Sequence, residues 1–215
     1  MSAPRAMVIV NGDDTRHDLL TAAGVFQQLG VEAGFATRKA MGTNRFVDPR
    51  PATAESSVYL LYTAGGQFGA EQQHALAGAV TAGRGLVSVH TTTLAGTEDE
   101  PLARLLGSRR LGSGCDRDPS RHTVEVLAGH PITGELTEFE VVDEYGATEP
   151  VDDAVTVLAR RQRADGTAEP VLHTRLVGAG RVVHLALGHD LRSWGEPAVR
   201  ALVRRALCWA AGGCP

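Results

Sequence analysis

Residues 182–194 read VVHLALGHDLRSW. The run from Val182 to Leu187 has the length and apolar content of a buried strand, and Gly188 ends it. His189, Asp190, Arg192 and Trp194 then follow within a few residues. An imidazole, a carboxylate, a guanidinium and an indole after a core strand have two readings. Either the next loop happens to be polar, or the strand delivers a site to the carboxyl edge of a sheet. Open α/β sheets bind ligands at that edge, so the rest of the chain has to say whether such a sheet exists.

The first half of the sequence supplies one. AMVIVNG (6–12) is a short apolar run closed by Asn-Gly, which predicts a strand and a turn. TRHDLLTAAGVFQQLG (15–30) spaces Leu19, Leu20, Ala23, Phe26 and Leu29 at helical intervals, with Gly30 as its expected stop. VEAGFAT (31–37), SVYLLYT (57–63) and GLVSVH (85–90) read as further strands, and GAEQQHALAGAVTAG (69–83) as a helix. Strand and helix alternate, which predicts a parallel sheet with right-handed crossovers. DPRPATAESS (48–57) is the most loop-like stretch. The second half is richer in strands: 122–127, 139–144, 154–160, 169–175 and 181–187 all suit extended structure, and a helix over 196–212 closes the chain. The expected architecture is a single α/β domain over 1–215, with a mainly parallel central sheet and extra strands in the second half.

Composition excludes several classes. Apolar residues make up 43% of the 215 residues, enough for a core, and the net charge of −4 comes without any basic stripe, so no nucleic-acid partner is expected. No apolar stretch approaches the roughly 18 residues a membrane span needs, and MSAPRAMVIV lacks the apolar core of a secretion signal. Cys115, Cys208 and Cys214 are an odd number without CxxC spacing. They argue against a disulfide framework and for a reducing cytoplasm.

Four polar clusters follow predicted strands: Asn11, Asp13, Asp14 and His17; His90, Thr91 and Thr92; Asp143, Glu144 and Tyr145; and His189 to Trp194. Successive parallel strands present their carboxyl ends on one edge, so His17, His90 and His189 are expected to converge there. Glu144 joins them if its strand runs in the same direction. Histidine suits acid–base work near neutral pH. Two or three imidazoles with a carboxylate also suit a divalent metal, zinc foremost, although no local motif such as HExxH is present. The expected catalytic set is His90, Glu144 and His189, which is also the expected metal set. His17, Thr91, Tyr145, Asp190 and Trp194 are expected to bind the substrate, with Asp190 either orienting His189 or capping the turn and Trp194 closing one wall. His130 in GHPIT reads as a turn residue, His184 as core, and Cys115 in GSGCDRD as part of a loop rather than a nucleophile.

Taken together, AGRGLVSVHTTT, HPIT, DEYG and above all GAGRVVHLALGHDLRSWGEPAVRALVRRALCWAAG resemble the trehalose-utilisation, or ThuA-like, family, from about Val8 to Gly212. The resemblance implies a fold like class I glutamine amidotransferases, a flavodoxin-like three-layer α/β/α sandwich. It also implies a site at His17, His90, Glu144 and His189. In those amidotransferases a cysteine nucleophile follows the strand that GLVSVH represents; His90 stands there instead, so glutamine hydrolysis is not expected. The implied chemistry is hydrolysis, isomerisation or elimination on a keto-sugar or glycoside. The chain departs from the family pattern at GSRRLGSGCDRDPSRH (107–122), where relatives commonly show Gly-Gly-x-Phe followed by a histidine. A non-catalytic sugar- or partner-binding protein and a tailoring enzyme of secondary metabolism are the alternatives. A homo-oligomer is compatible with either.

Overall fold

The computed structural model describes residues 3–12, 16–65, 68–90, 101–127, 129–162, 166 and 168–213. In chain order the elements are β1 (Arg5–Gly12), α1 (Leu19–Glu32), β2 (Ala36–Met41), α2 (Pro51–Ala54), β3 (Val58–Ala64), α3 (Ala70–Thr81), β4 (Gly85–Val89) and α4 (Pro101–Leu106). They continue with β5 (Ser108–Val126), β6 (Glu138–Pro150), β7 (Thr156–Gln162), β8 (Ala168–Val177), β9 (Gly180–Leu185), α5 (Leu191–Trp194) and α6 (Pro197–Ala210). One sheet runs in the order β2-β1-β3-β4-β9-β8-β7-β5-β6. From β2 to β9 every neighbouring pair is parallel. From β9 to β6 every pair is antiparallel.

The strands of the parallel block are buried along almost their whole length in β3 and β4, as expected when helices cover both faces. Phe26 and Leu29 of α1 and Val199, Leu202, Val203 and Leu207 of α6 pack on one face with Val8, Leu60 and Val87. Leu76 and Val80 of α3 and Leu102, Leu105 and Leu106 of α4 pack on the other with Ile9, Leu61 and Leu86. The layers are therefore helix, sheet, helix, as the family resemblance implied.

The local corrections have physical reasons. The second strand was expected at 31–37 but lies at Ala36–Met41, because α1 continues through Gly30 to Glu32 and the chain turns at Gly34, φ +92°. Gly30 does not stop the helix. A Cβ there would sit 2.5 Å from Thr37 Oγ1, so glycine lets α1 lie close against β2. The loop-like 48–57 stretch holds the one-turn α2, with Pro51 at its first position. The stretch around Cys115, read as a loop, is part of β5, although the side chains of 110–117 lie outside those described. Cys208 on α6 is disulfide-bonded; the odd cysteine count argued against a disulfide framework, but it does not forbid a single pair. Among the described residues, no helix is long and apolar enough to cross a membrane.

A histidine and glutamate centre at the sheet edge

Three of the four clusters reach one point by the expected route. His17 lies immediately before Asp18, whose carboxylate accepts the Thr21 N–H at 2.9 Å and caps α1, fixing where the helix begins. His90 follows β4 with φ +65°, a left-handed backbone that a bulky side chain adopts only at a cost of roughly 1–3 kcal/mol and that is concentrated at functional sites. His189 follows β9 through Gly188, φ +118°. A Cβ at Gly188 would also meet Val89 Cγ1 at 2.8 Å, so the turn requires glycine.

Glu144 arrives differently. β6 does run in the same direction as the parallel block, but it is the last strand of the sheet, separated from β9 by three strands. The long β5–β6 ribbon crosses back over the carboxyl edge. Arg161 Nη1 at the end of β7 donates to the Glu144 carbonyl at 3.4 Å, Thr148 Oγ1 donates to Pro170 at the start of β8, and Asp143 reaches the turn after β9. Beneath the ribbon, Arg161 and Glu169 form a buried ion pair, Nε to Oε1 2.5 Å.

The result is a close cluster. His17 Nε2 stands 2.8 Å from His90 Nε2 and 2.9 Å from His189 Nδ1. Glu144 Oε2 is 3.4 Å from His189 Nδ1 and 4.0 Å from His90 Nε2. One ligand atom from each of the four residues lies within 4.8 Å of the other three, so the cluster could hold a metal ion. The nitrogen contacts themselves favour that use. A ring nitrogen has one in-plane position, filled by a lone pair or by a proton, so His17 Nε2 cannot satisfy two nitrogens at once, whereas a shared cation satisfies all three. Three imidazoles and a carboxylate are a donor set for zinc and its first-row neighbours. Burial holds the His189 imidazole below its usual range, and His17 beside it adds to this, while the Asp190 and Asp143 carboxylates oppose it. A neutral ring is the form that binds metal.

The remaining predicted residues separate. Asp190 is the N-cap of α5, accepting the Arg192 N–H at 2.9 Å and pairing with the Arg192 guanidinium. Trp194 was expected on a cleft wall but is 2% exposed. It packs against Phe26 and Tyr62 and donates from Nε1 to the Gly188 carbonyl at 2.6 Å. An amphipathic indole buried with its N–H satisfied serves the loop rather than a ligand. Thr91 lies outside the described residues, as does the side chain of Tyr145 on β6. His130 Nδ1 accepts the Ile132 N–H and closes a turn, and His184 is buried in β9.

Sequence reading missed Tyr62 and Arg16. Tyr62 stacks on His90 with ring centroids 5.7 Å apart and donates its hydroxyl to the His189 carbonyl at 3.1 Å. Arg16 Nη2 pairs with Glu144 Oε1 at 3.1 Å, leaving Oε2 turned to the histidines. A tyrosine near the end of a strand of buried aliphatics was the available signal for the first. For Arg16, only its position beside His17 was.

Fold and site together define an α/β sandwich protein with a three-histidine, one-glutamate centre at the carboxyl edge of its sheet and histidine at the elbow after β4. The chain belongs to the ThuA family, described as trehalose utilisation, whose family model matches residues 5–210. A ThuA-like protein from Parabacteroides merdae superimposes with a TM-score of 0.81 at 16% identity, over 98% of this chain and 91% of that one. One from Bacteroides uniformis gives 0.76 at 17% identity, over 100% and 96%. A β-galactosidase from Bacillus circulans sp. alkalophilus gives 0.67 at 13% identity, over 97% of this chain but 31% of that one. At such identities the likeness concerns the fold. No curated protein sequence matches the chain.

Proposed function

We propose that this protein is a metal-assisted enzyme acting on a carbohydrate-like carbonyl compound, a keto-sugar or glycoside. The observation that carries the reading is the meeting of His17, His90, His189 and Glu144, with one ligand atom from each within 4.8 Å of the others. His17 Nε2, His90 Nε2 and His189 Nδ1 would hold a divalent ion, zinc foremost; His17, expected from sequence to bind substrate, thus takes the ligand place expected for Glu144, which is left beside the ion as a base. Bound there, such an ion supplies Lewis-acid polarisation of a carbonyl oxygen.

The chain's own groups account for the proton movement. Glu144 Oε2 is the proton acceptor, taking a proton from water or from the carbon next to a sugar carbonyl. Hydrolysis begins with the first, and isomerisation and elimination with the second. Arg16 on Oε1 prevents the carboxylate from rotating away. Tyr62 supports both His90, by stacking, and the His189 turn, by its hydrogen bond. The family's description supports a carbohydrate-related substrate.

The test is metal content of protein purified without a histidine tag, compared with His90→Ala and His189→Ala. One equivalent of metal, lost in folded variants, is expected. Keto-sugar in D2O should then exchange its α-proton with wild type and at least 100-fold more slowly with Glu144→Gln. Metal-free wild type that cannot be loaded with zinc would sink the metal-assisted reading.

One observation favours a second reading, a non-catalytic sugar- or partner-binding module. The same fold makes up about a third of a β-galactosidase chain. Sugar binding by calorimetry without any proton exchange or product would select it.

A further inference from the structure

We infer that Asp143 is a positioning residue: one buried carboxylate sets Glu144 and His189 in register with each other. The inference rests on the reading of a shared four-residue centre.

Asp143 is 1% exposed. Its Oδ1 accepts the Glu144 N–H at 2.8 Å and the His189 N–H at 3.1 Å, and its Oδ2 accepts the Gly188 N–H at 2.6 Å. No strand ladder joins β6 to β9, since β8, β7 and β5 lie between them in the sheet. The position of Glu144 relative to His189 therefore depends on how the ribbon docks, and Asp143 is the side chain that bonds both backbones.

The turn it grips is fully accounted for. Both N–H groups of Gly188 and His189 go to Asp143. The Gly188 carbonyl goes to Trp194 Nε1 and the His189 carbonyl to the Tyr62 hydroxyl. Each partner comes from a different element: β6, α5 and β3. Only the β6 partner is the sequence neighbour of a member of the centre, Glu144. Loss of Trp194 loosens the His189 turn, and loss of Tyr62 loosens that turn and the stack on His90; loss of Asp143 separates His189 from Glu144.

Asparagine distinguishes these roles, because its amide has one acceptor oxygen and its NH2 would face an N–H donor. Zinc affinity is measured by competition with a chromophoric chelator, and cobalt(II) visible spectra are recorded, for wild type, Asp143→Asn and Val203→Ala. Val203 is a buried α6 residue outside the centre. Losing a group that orients a metal ligand typically costs about 10–100-fold in metal affinity, and that loss, with an altered cobalt spectrum, is expected for Asp143→Asn. Val203→Ala should lower the melting temperature and leave affinity and spectrum unchanged. Folded Asp143→Asn with wild-type affinity and spectrum would overturn the inference. If Asp143→Asn does not fold, Asp143→Glu is measured instead. It keeps the charge but lengthens the arm, and the same loss supports the inference while unchanged affinity overturns it.

If wild type binds no zinc, the metal reading fails, and the inference is judged by amide hydrogen exchange. Exchange at Gly188, His189 and Glu144 at least 10-fold faster in the variant, with the α1 and α6 amides unchanged, supports it. Unchanged exchange at those three overturns it.

Discussion

The parallel block β2-β1-β3-β4-β9 and the antiparallel arm β8-β7-β5-β6 belong to one sheet but build the site in different ways. The parallel block delivers His17, His90 and His189 directly, because the carboxyl ends of β1, β4 and β9 lie on one edge. The arm delivers Glu144 by folding a long ribbon across that edge. Three donors are thus placed by topology and one by docking. The difference locates where the centre is vulnerable: at the seam between block and arm and in the polar contacts under the ribbon.

The largest effect is expected under the ribbon. Glu169→Ala leaves the Arg161 guanidinium buried without its carboxylate, and such a break costs about 3–5 kcal/mol. Chemical denaturation should show that loss, and metal affinity should fall with it because Arg161 also donates to the Glu144 carbonyl. A stability change below 1 kcal/mol would mean that this pair, between β7 and β8, does not hold the arm together beneath the ribbon.

Acid should act next, at the seam itself. His173 of β8 and His184 of β9 are buried with ring centroids 5.1 Å apart. Burial pushes His173 down to about 4, with Arg175 adding to this against the pull of the Leu106 carbonyl, and burial also holds His184 well below its usual range. The unfolded chain titrates near 6.5 and so binds more protons than the folded one between these values. The stabilisation is therefore fully present above pH 6.5 and is lost as pH falls towards 4. For His173 it amounts to roughly 3 kcal/mol. Denaturation curves between pH 4 and 7 should show the decline, and His173→Leu should flatten it. An equally steep decline in His173→Leu would assign the acid limb elsewhere.

A smaller effect is expected on the block side. Gly188→Ala forces a side chain into φ +118° and against Val89, costing roughly 1–3 kcal/mol, visible as a lower melting temperature. The smallest is on the outer ribbon. Arg121 and Glu140 pair at 3.0 Å but are 65% and 58% exposed, so Arg121→Ala should change stability by about 0.5 kcal/mol or less. A loss near that of Glu169→Ala would erase the distinction between buried and surface pairs on which the ordering depends.

Periodicity made the block legible. Val58–Ala64 and Gly85–Val89 are nearly continuous apolar runs because both faces are covered, and the apolar stripe of α6 matches its buried residues; that of α1 does so at Ala23, Phe26 and Leu29, whereas Leu20 faces solvent. Gly30 misled because sequence shows a glycine but not whether it ends a helix or admits a neighbour. Trp194 misled because an indole after a polar turn looks the same whether it lines a cleft or seals a core. β5 was legible only at its end, since 108–121 has no alternation for a ladder with β6 to reveal.

By itself the sequence determined the α/β alternation, the strand ends that carry His90 and His189, and the nearness of His17 to the same edge. These follow from local patterns and from the rule that parallel strands end together. Only the tertiary structure decided that Glu144 joins them, that Arg16 and Tyr62 support the centre, and that Asp143 grips the His189 turn. Apart from the Tyr62–His90 stack between paired β3 and β4, those contacts join residues dozens to more than a hundred positions apart across strands that share no ladder. Their geometry is set by how the ribbon packs, which no local pattern encodes.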